Sequence, residues 1–139
     1  MIAKEAAEQI IKRYRTSDPY KLAEKMDIII HRVDLGKVRG MCYNTRRIRQ
    51  VLLHYDLPDH LERFVLGHEI GHLIMHPHSN APFLSGTLFS KERYEVEANE
   101  FAIRLIVSDV DIIEHWHYTI DQWAMVCGLP IGIMQLRFK

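Results

Sequence analysis

Cysteine is scarce in this chain: two in 139 residues, Cys42 and Cys127, far apart and each in an apolar stretch. That pattern excludes a disulfide framework and a cysteine zinc finger, and predicts two buried thiols in a reducing compartment. Net charge is missing as well. The 18 Lys and Arg are matched by 18 Asp and Glu, so no global field draws the chain to nucleic acid or to an anionic membrane. Long apolar runs are absent, and none approaches the roughly 18 residues that a membrane span needs. Residues 1–20 are charged and amphipathic and hold no apolar core of signal-peptide type. A cytoplasmic protein follows, with neither membrane nor nucleic acid expected as a partner. Arg46, Arg47 and Arg49 form a local basic cluster, which reads as a solvated hairpin.

What the chain does have is histidine, nine in all, and enough length for one domain with a real core. Residues 1–139 are expected to form a single domain, with a catalytic core to about residue 107 and a C-terminal helical segment over 108–139. Apolar residues at helical spacing mark a helix over 2–15. Asp18 and Pro19 then cap and open a short second helix. Three strands follow: Ile28 to Val33, rich in β-branched residues, then Arg39 to Asn44 and Arg47 to Tyr55. The tight join at Asn44 and Thr45, after a turn at Gly36, predicts a meander. A helix from Asp59 to Met75 ends before Pro77, and residues 76–86 form a loop. Ser90 reads as the cap of a helix to about Val107, and Ser108 or Asp109 starts another. Thr119 caps a further helix, broken at Gly128 to Pro130 before a last short one. The fold class is α+β, mainly helical, with a small three-stranded antiparallel sheet.

Within the long helix stands His68-Glu69-Ile70-Gly71-His72. Residues at i and i+4 share a helix face, so two imidazoles can reach one metal ion, with Glu69 beside it as a candidate base. Gly67 and Gly71, also at i and i+4, each cost about 1 kcal/mol against alanine and suggest close approach of another backbone. A catalytic zinc needs a third protein ligand and an open position. Glu95, Ala98, Asn99 and Ala102 lie on one face of the next helix, where the alanines allow that approach. Glu95 would then project toward the metal. Asn99, one turn behind, would accept the other ring N–H of a liganding histidine, His68 first. Glu97 and Glu100 are the rival ligands. They point about 200° and 140° away from Glu95 on a wheel of about 100° per residue and read as solvated.

These segments together resemble the ImmA/IrrE family of small zinc-dependent peptidases. The resemblance rests on residues 16–23, Val33-Asp34-Leu35-Gly36 with Arg39-Gly40, residues 62–73 around the His-Glu-x-x-His pattern, and residues 95–102. It implies a minimal thermolysin-like core whose sheet packs on the two site helices. It supports His68, His72 and Glu95 as zinc ligands and Glu69 as catalytic base, and it implies cleavage of a helix-turn-helix repressor, since members often sit on phages or mobile elements. Where relatives commonly run into a Leu-Leu-Met-Pro-like end, this chain has Leu105-Ile106-Val107-Ser108. Some relatives carry an N-terminal DNA-binding module, for which the residues before Asp18 leave no room.

Tyr94, His54, His76 and His78 are candidates for stabilising the oxyanion, and His115 and His117 read as a partly exposed turn. Two other functions compete. Residues 119–138 resemble a helix-turn-helix, which would make a DNA-binding regulator, but the second helix offers few groups to bases or phosphates and reads as a hairpin covering the core. A zinc-braced module that binds a regulator without cutting it would keep the metal and drop the chemistry.

Overall fold

Four of the helices begin where a side chain accepts from one of the first N–H groups. The computed structural model describes residues 2–77 and 92–139. Among them the elements are α1 (Ala3–Tyr14), α2 (Pro19–Lys25), β1 (Ile29–Val33), β2 (Gly40–Thr45), β3 (Ile48–His54), α3 (Asp59–Met75), α4 (Arg93–Ile106), α5 (Asp109–Glu114), α6 (Ile120–Cys127) and α7 (Ile131–Arg137). The Asp18 carboxylate accepts from Tyr20 N–H at 2.9 Å with Pro19 in the first turn of α2. Ser108 and Thr119 each close a reciprocal capping box, with Asp111 and Gln122. The expectations for Ser90 and for the loop beyond Pro77 lie outside the described residues; α4 is capped by Glu92, whose carboxylate accepts from Glu95 N–H.

The α+β class is borne out, but the sheet is mixed rather than an antiparallel meander. Its order is β1-β3-β2, with β2 antiparallel and β1 parallel to β3. Burial explains the order. Val51 and Leu53 of β3 are fully buried, so β3 takes the centre, while β1 is exposed over most of its length and forms an edge. The connection over residues 34–39 is long enough to step past one strand. The β2–β3 turn also falls later than expected: Thr45 pairs with Ile48. Arg46 and Arg47 make the turn, both at positive φ (52° and 68°), as a two-residue hairpin of type I′ requires. Both point into solvent, whereas the Arg49 guanidinium donates to the Met26 carbonyl.

Two apolar clusters meet along α3. Val65, Leu66, Ile70 and Leu73 face α1, α2 and the sheet. Phe64 faces the other way, toward Ala102, Ile103, Trp123, Ile133 and Met134. Fully burying side chains of this kind contributes about 1.5–3 kcal/mol each. The sheet packs on α3, and α4 packs against α3, α1 and α7. Neither cysteine is in a disulfide; Cys42 is buried as expected, but Cys127 is only half-buried. No helix among the described residues is long and apolar enough to cross a membrane.

The glycines of α3 set the distance to α4. A Cβ on Gly67 would lie 3.3 Å from Ala102 Cβ, and one on Gly71 would lie 3.0 Å from the Phe101 ring. The two helices therefore run closer than side chains at those positions would permit. On the sheet side, a Cβ on Gly40 of β2 would lie 2.7 Å from Val65 Cγ1 and 3.3 Å from Glu69 Cγ. The β2 edge is thus pressed against Glu69.

Candidate metal centre

Close helix packing brings the chemistry-bearing residues of α3 and α4 together. His68 and His72, one turn apart, turn their Nε2 atoms toward each other at 3.1 Å. Across the interface, Glu95 Oε1 lies 2.7 Å from His72 Nε2 and Oε2 lies 3.2 Å from His68 Nε2. Ala102 meets Gly67 and Phe101 meets Gly71, while Asn99 meets His68 and Glu95 meets His72; α4 thus runs antiparallel along α3. His68, Glu69, His72, Glu95 and Asn99 are all buried.

The hydrogen bonds on the far side of each ring determine what the near side offers. His68 Nδ1 lies 2.7 Å from Asn99 Oδ1. A carbonyl oxygen only accepts, so Nδ1 carries the proton and the neutral ring presents a lone pair at Nε2. His72 Nδ1 is bonded to His76 Nδ1 at 2.9 Å, and His76 Nε2 to Glu97 Oε2 at 2.9 Å. Two imidazole Nε2 atoms and a carboxylate therefore converge on one point.

The electrostatics favour a cation there. Burial pushes His72 down to about 4, outweighing the pull of the Glu95 hydrogen bond, so this ring is neutral at pH 7 and able to ligate. Burial opposes charge on Glu95 too, yet its hydrogen bonds to His68 and His72 bring it down to about 2. His68 is moved upward: burial resists, but Glu95 and then Glu69 favour the charged ring. The carboxylates thus stabilise positive charge at the point where the rings meet.

These residues fit a divalent metal. Zinc–nitrogen bonds of about 2.1 Å at tetrahedral angles put neighbouring donors roughly 3.4 Å apart; the observed edges are 3.1, 3.2 and 2.7 Å, a slightly tighter triangle of the same kind. A grouping of His68, Glu69 and His72 also lies within 4.8 Å. Glu95 approaches both rings, whereas Glu69 Oε2 stands 3.8 Å from His68 Nε2. Glu95 and Glu69 therefore occupy different positions around the same point.

Other expected residues fall elsewhere. Glu100 is buried, not solvated, and pairs with Arg104 at 2.9 Å and Lys139 at 3.0 Å; the C-terminal residues fold back over that face of α4. Glu97 is not a solvated group either, since His76 and Arg93 hold it. His54 Nδ1 accepts from Leu35 N–H and so serves the β1–β2 connection. Tyr94 packs its ring on His76, centroids 4.3 Å apart. His78 lies outside the described residues. His115 stacks on Tyr118 in the C-terminal helices, and the ring of His117 stands edge-on to Tyr118. In the helix-turn-helix-like segment, α7 buries Ile133 and Met134. Its Arg137 donates to the Val107 carbonyl and the Asp109 carboxylate. The contact of Gly40 with Glu69 and the His76–Glu97 pair were not anticipated. A further histidine at the same i, i+4 step after His72 was the available signal for the pair.

The model for the IrrE N-terminal-like domain, peptidase family M78, matches residues 23–138. An uncharacterized immunity region protein 2 of Bacillus phage phi105 is 34% identical over 140 residues, covering 98% of this chain and 89% of that protein. Metallopeptidase ImmA of Bacillus subtilis (strain 168) is 28% identical over 107 residues, which is 76% of this chain but 63% of ImmA. No solved structure matches the chain significantly.

Proposed function

Starting from the fact that this chain belongs to the ImmA/IrrE family, peptidase family M78, we propose that it is a zinc-dependent peptidase acting on a helix-turn-helix repressor in the cytoplasm. The observation that carries this reading is the convergence of two imidazole Nε2 atoms and the Glu95 carboxylate on one buried point. His68, His72 and Glu95 are the ligands. Two imidazoles and one carboxylate are a donor set of catalytic rather than structural zinc sites, because the fourth position stays open. When bound, zinc would acidify a water and polarise the scissile carbonyl.

The chain's own residues do the rest. Glu69 Oε2 takes the proton of the attacking water and returns it to the leaving amine nitrogen. Its burial excludes bulk water from that exchange. Asn99 holds the His68 ring with its lone pair inward. β2 is an edge strand whose Gly40 packs on Glu69, so an extended substrate can add to its open edge as a further strand. Gly40 leaves space there for the catalytic carboxylate.

The test is co-expression with the helix-turn-helix regulator encoded beside its gene, followed by intact-mass spectrometry, with Glu69→Gln in parallel. Discrete fragments with the unaltered protein and none with Glu69→Gln are expected. A regulator that co-purifies uncut in both cases would replace the peptidase with a zinc-braced binding module. Fragments in both cases would remove Glu69 from the chemistry.

A further inference from the structure

The array of histidines on α3 continues past His72. His76, one turn on, follows the last residue of the helix, and its ring nitrogens face two different groups. Nε2 lies 2.9 Å from Glu97 Oε2, and Nδ1 lies 2.9 Å from His72 Nδ1. The other Glu97 oxygen accepts from Arg93 Nε at 3.0 Å. The Tyr94 ring packs on His76 at 4.3 Å, and the His76 side chain is only 7% exposed. The ring is thus held from several sides in a fixed orientation.

A bond between two Nδ1 atoms needs one donor and one acceptor. A carboxylate can only accept, so His76 Nε2 carries the proton directed at Glu97. Neutral His76 then presents its lone pair at Nδ1, and the proton in the bond between the rings belongs to His72. With a cation seated between it, Glu95 and His68, His72 Nε2 carries no hydrogen, and the outward Nδ1 is where the ring keeps its proton. The alternative His72 tautomer, with hydrogen on Nε2, could not ligate a cation.

We propose that His76 and Glu97 are positioning residues of the metal centre, a carboxylate–imidazole pair that fixes the His72 tautomer and makes its Nε2 a stronger donor. The inference rests on the reading of His72 as a metal ligand. It assigns the two ligand histidines different supports. His68 leans on a neutral amide, Asn99, while His72 leans on an anion acting through a second imidazole. Outer groups of this kind typically change metal affinity by about 10–100-fold when removed.

Zinc affinity of the full chain, measured by competition with a chromophoric chelator, tests it. His76→Ala and Glu97→Ala should each weaken zinc binding about 10–100-fold. Glu97→Gln, which keeps an acceptor oxygen without the charge, should recover part of the loss. Arg93→Ala, which touches only the exposed side of Glu97, should leave affinity unchanged. Thermal melts of the metal-free variants check that they fold. Nitrogen-15 spectra of the histidine rings in the zinc-loaded, unaltered protein need no variant, and should show hydrogen on His76 Nε2 and none on its Nδ1. Unweakened binding in both alanine variants, or hydrogen on His76 Nδ1, overturns the pair while the zinc site stands. An unaltered protein that binds no zinc removes the underlying reading, and the pair with it.

Discussion

Two buried carboxylate sites lie along α3, one around its own Glu62 and one where Glu95 of α4 meets it, and they are built on opposite terms. Near the start of α3, Glu62 receives its counter-charge from the chain: the Arg32 guanidinium donates to both carboxylate oxygens at 3.0 and 2.8 Å, and Tyr20 Oη donates at 2.8 Å. Further along, among the described residues, no lysine or arginine pairs with Glu95; it faces His68 and His72. The first cluster is electrostatically complete. The second is deeper and holds Glu69 as well, and under the proposed function a cation would complete it. Tying α2, β1 and α3 together is structural work, and the Glu62 cluster does it with fixed charges. A cluster that presents lone pairs at the cost of burying carboxylates fits binding and chemistry.

The contrast can be broken from either side. The largest effect is expected at Glu69: Glu69→Gln should lower cleavage of the repressor by about 10²–10⁴-fold, the range for loss of a general base, with zinc content unchanged by elemental analysis. His72→Ala should abolish tight zinc binding. At zinc 100-fold above its Kd, the linked stabilisation lost is about 2.7 kcal/mol, read as a melting temperature equal to that of the metal-free, unaltered protein. Gly40→Ala should cost about 1–3 kcal/mol by overpacking and displace Glu69, so turnover falls while zinc affinity holds. The smallest effect belongs to the complete cluster. Arg32 is half-exposed, so Arg32→Ala should cost roughly 1 kcal/mol and leave zinc binding alone.

That last variant has a pH signature. The Arg32 hydrogen bonds hold Glu62 below its ordinary value of 4.5, against the opposing effect of burial. A carboxyl lowered on folding stabilises above its unfolded pKa and loses that contribution as pH falls through the folded one. Urea titrations should therefore separate Arg32→Ala from the unaltered protein at pH 7 and show the gap closing under acid, below about pH 4.5.

Local spacing made much of this legible in the sequence. His68 and His72 follow from the i, i+4 rule, and the small residues Ala98 and Ala102 marked the face of α4 that approaches α3. That face carries Glu95 and Asn99 to the two rings. Glu97 was misread because its angle was measured only from Glu95. Its carboxylate instead reaches the residue just past the C-terminal end of α3, where His76 Nε2 lies 2.9 Å from Glu97 Oε2. Glu100 was misread for a similar reason: its partners, Arg104 and Lys139, include one 39 positions away. Strand order was hidden because a connection over 34–39 allows β1 to pair with β2 or to skip it. Only the burial of Val51 and Leu53 decides which strand is central.

The most direct measurement is zinc stoichiometry by native mass spectrometry, after chelator stripping and reloading, on the unaltered chain beside a His68→Ala, His72→Ala double variant. One zinc per chain in the former and none in the latter is the predicted result. No zinc in the unaltered protein, or one zinc retained by the double variant, would contradict the claim that this cluster is a metal centre.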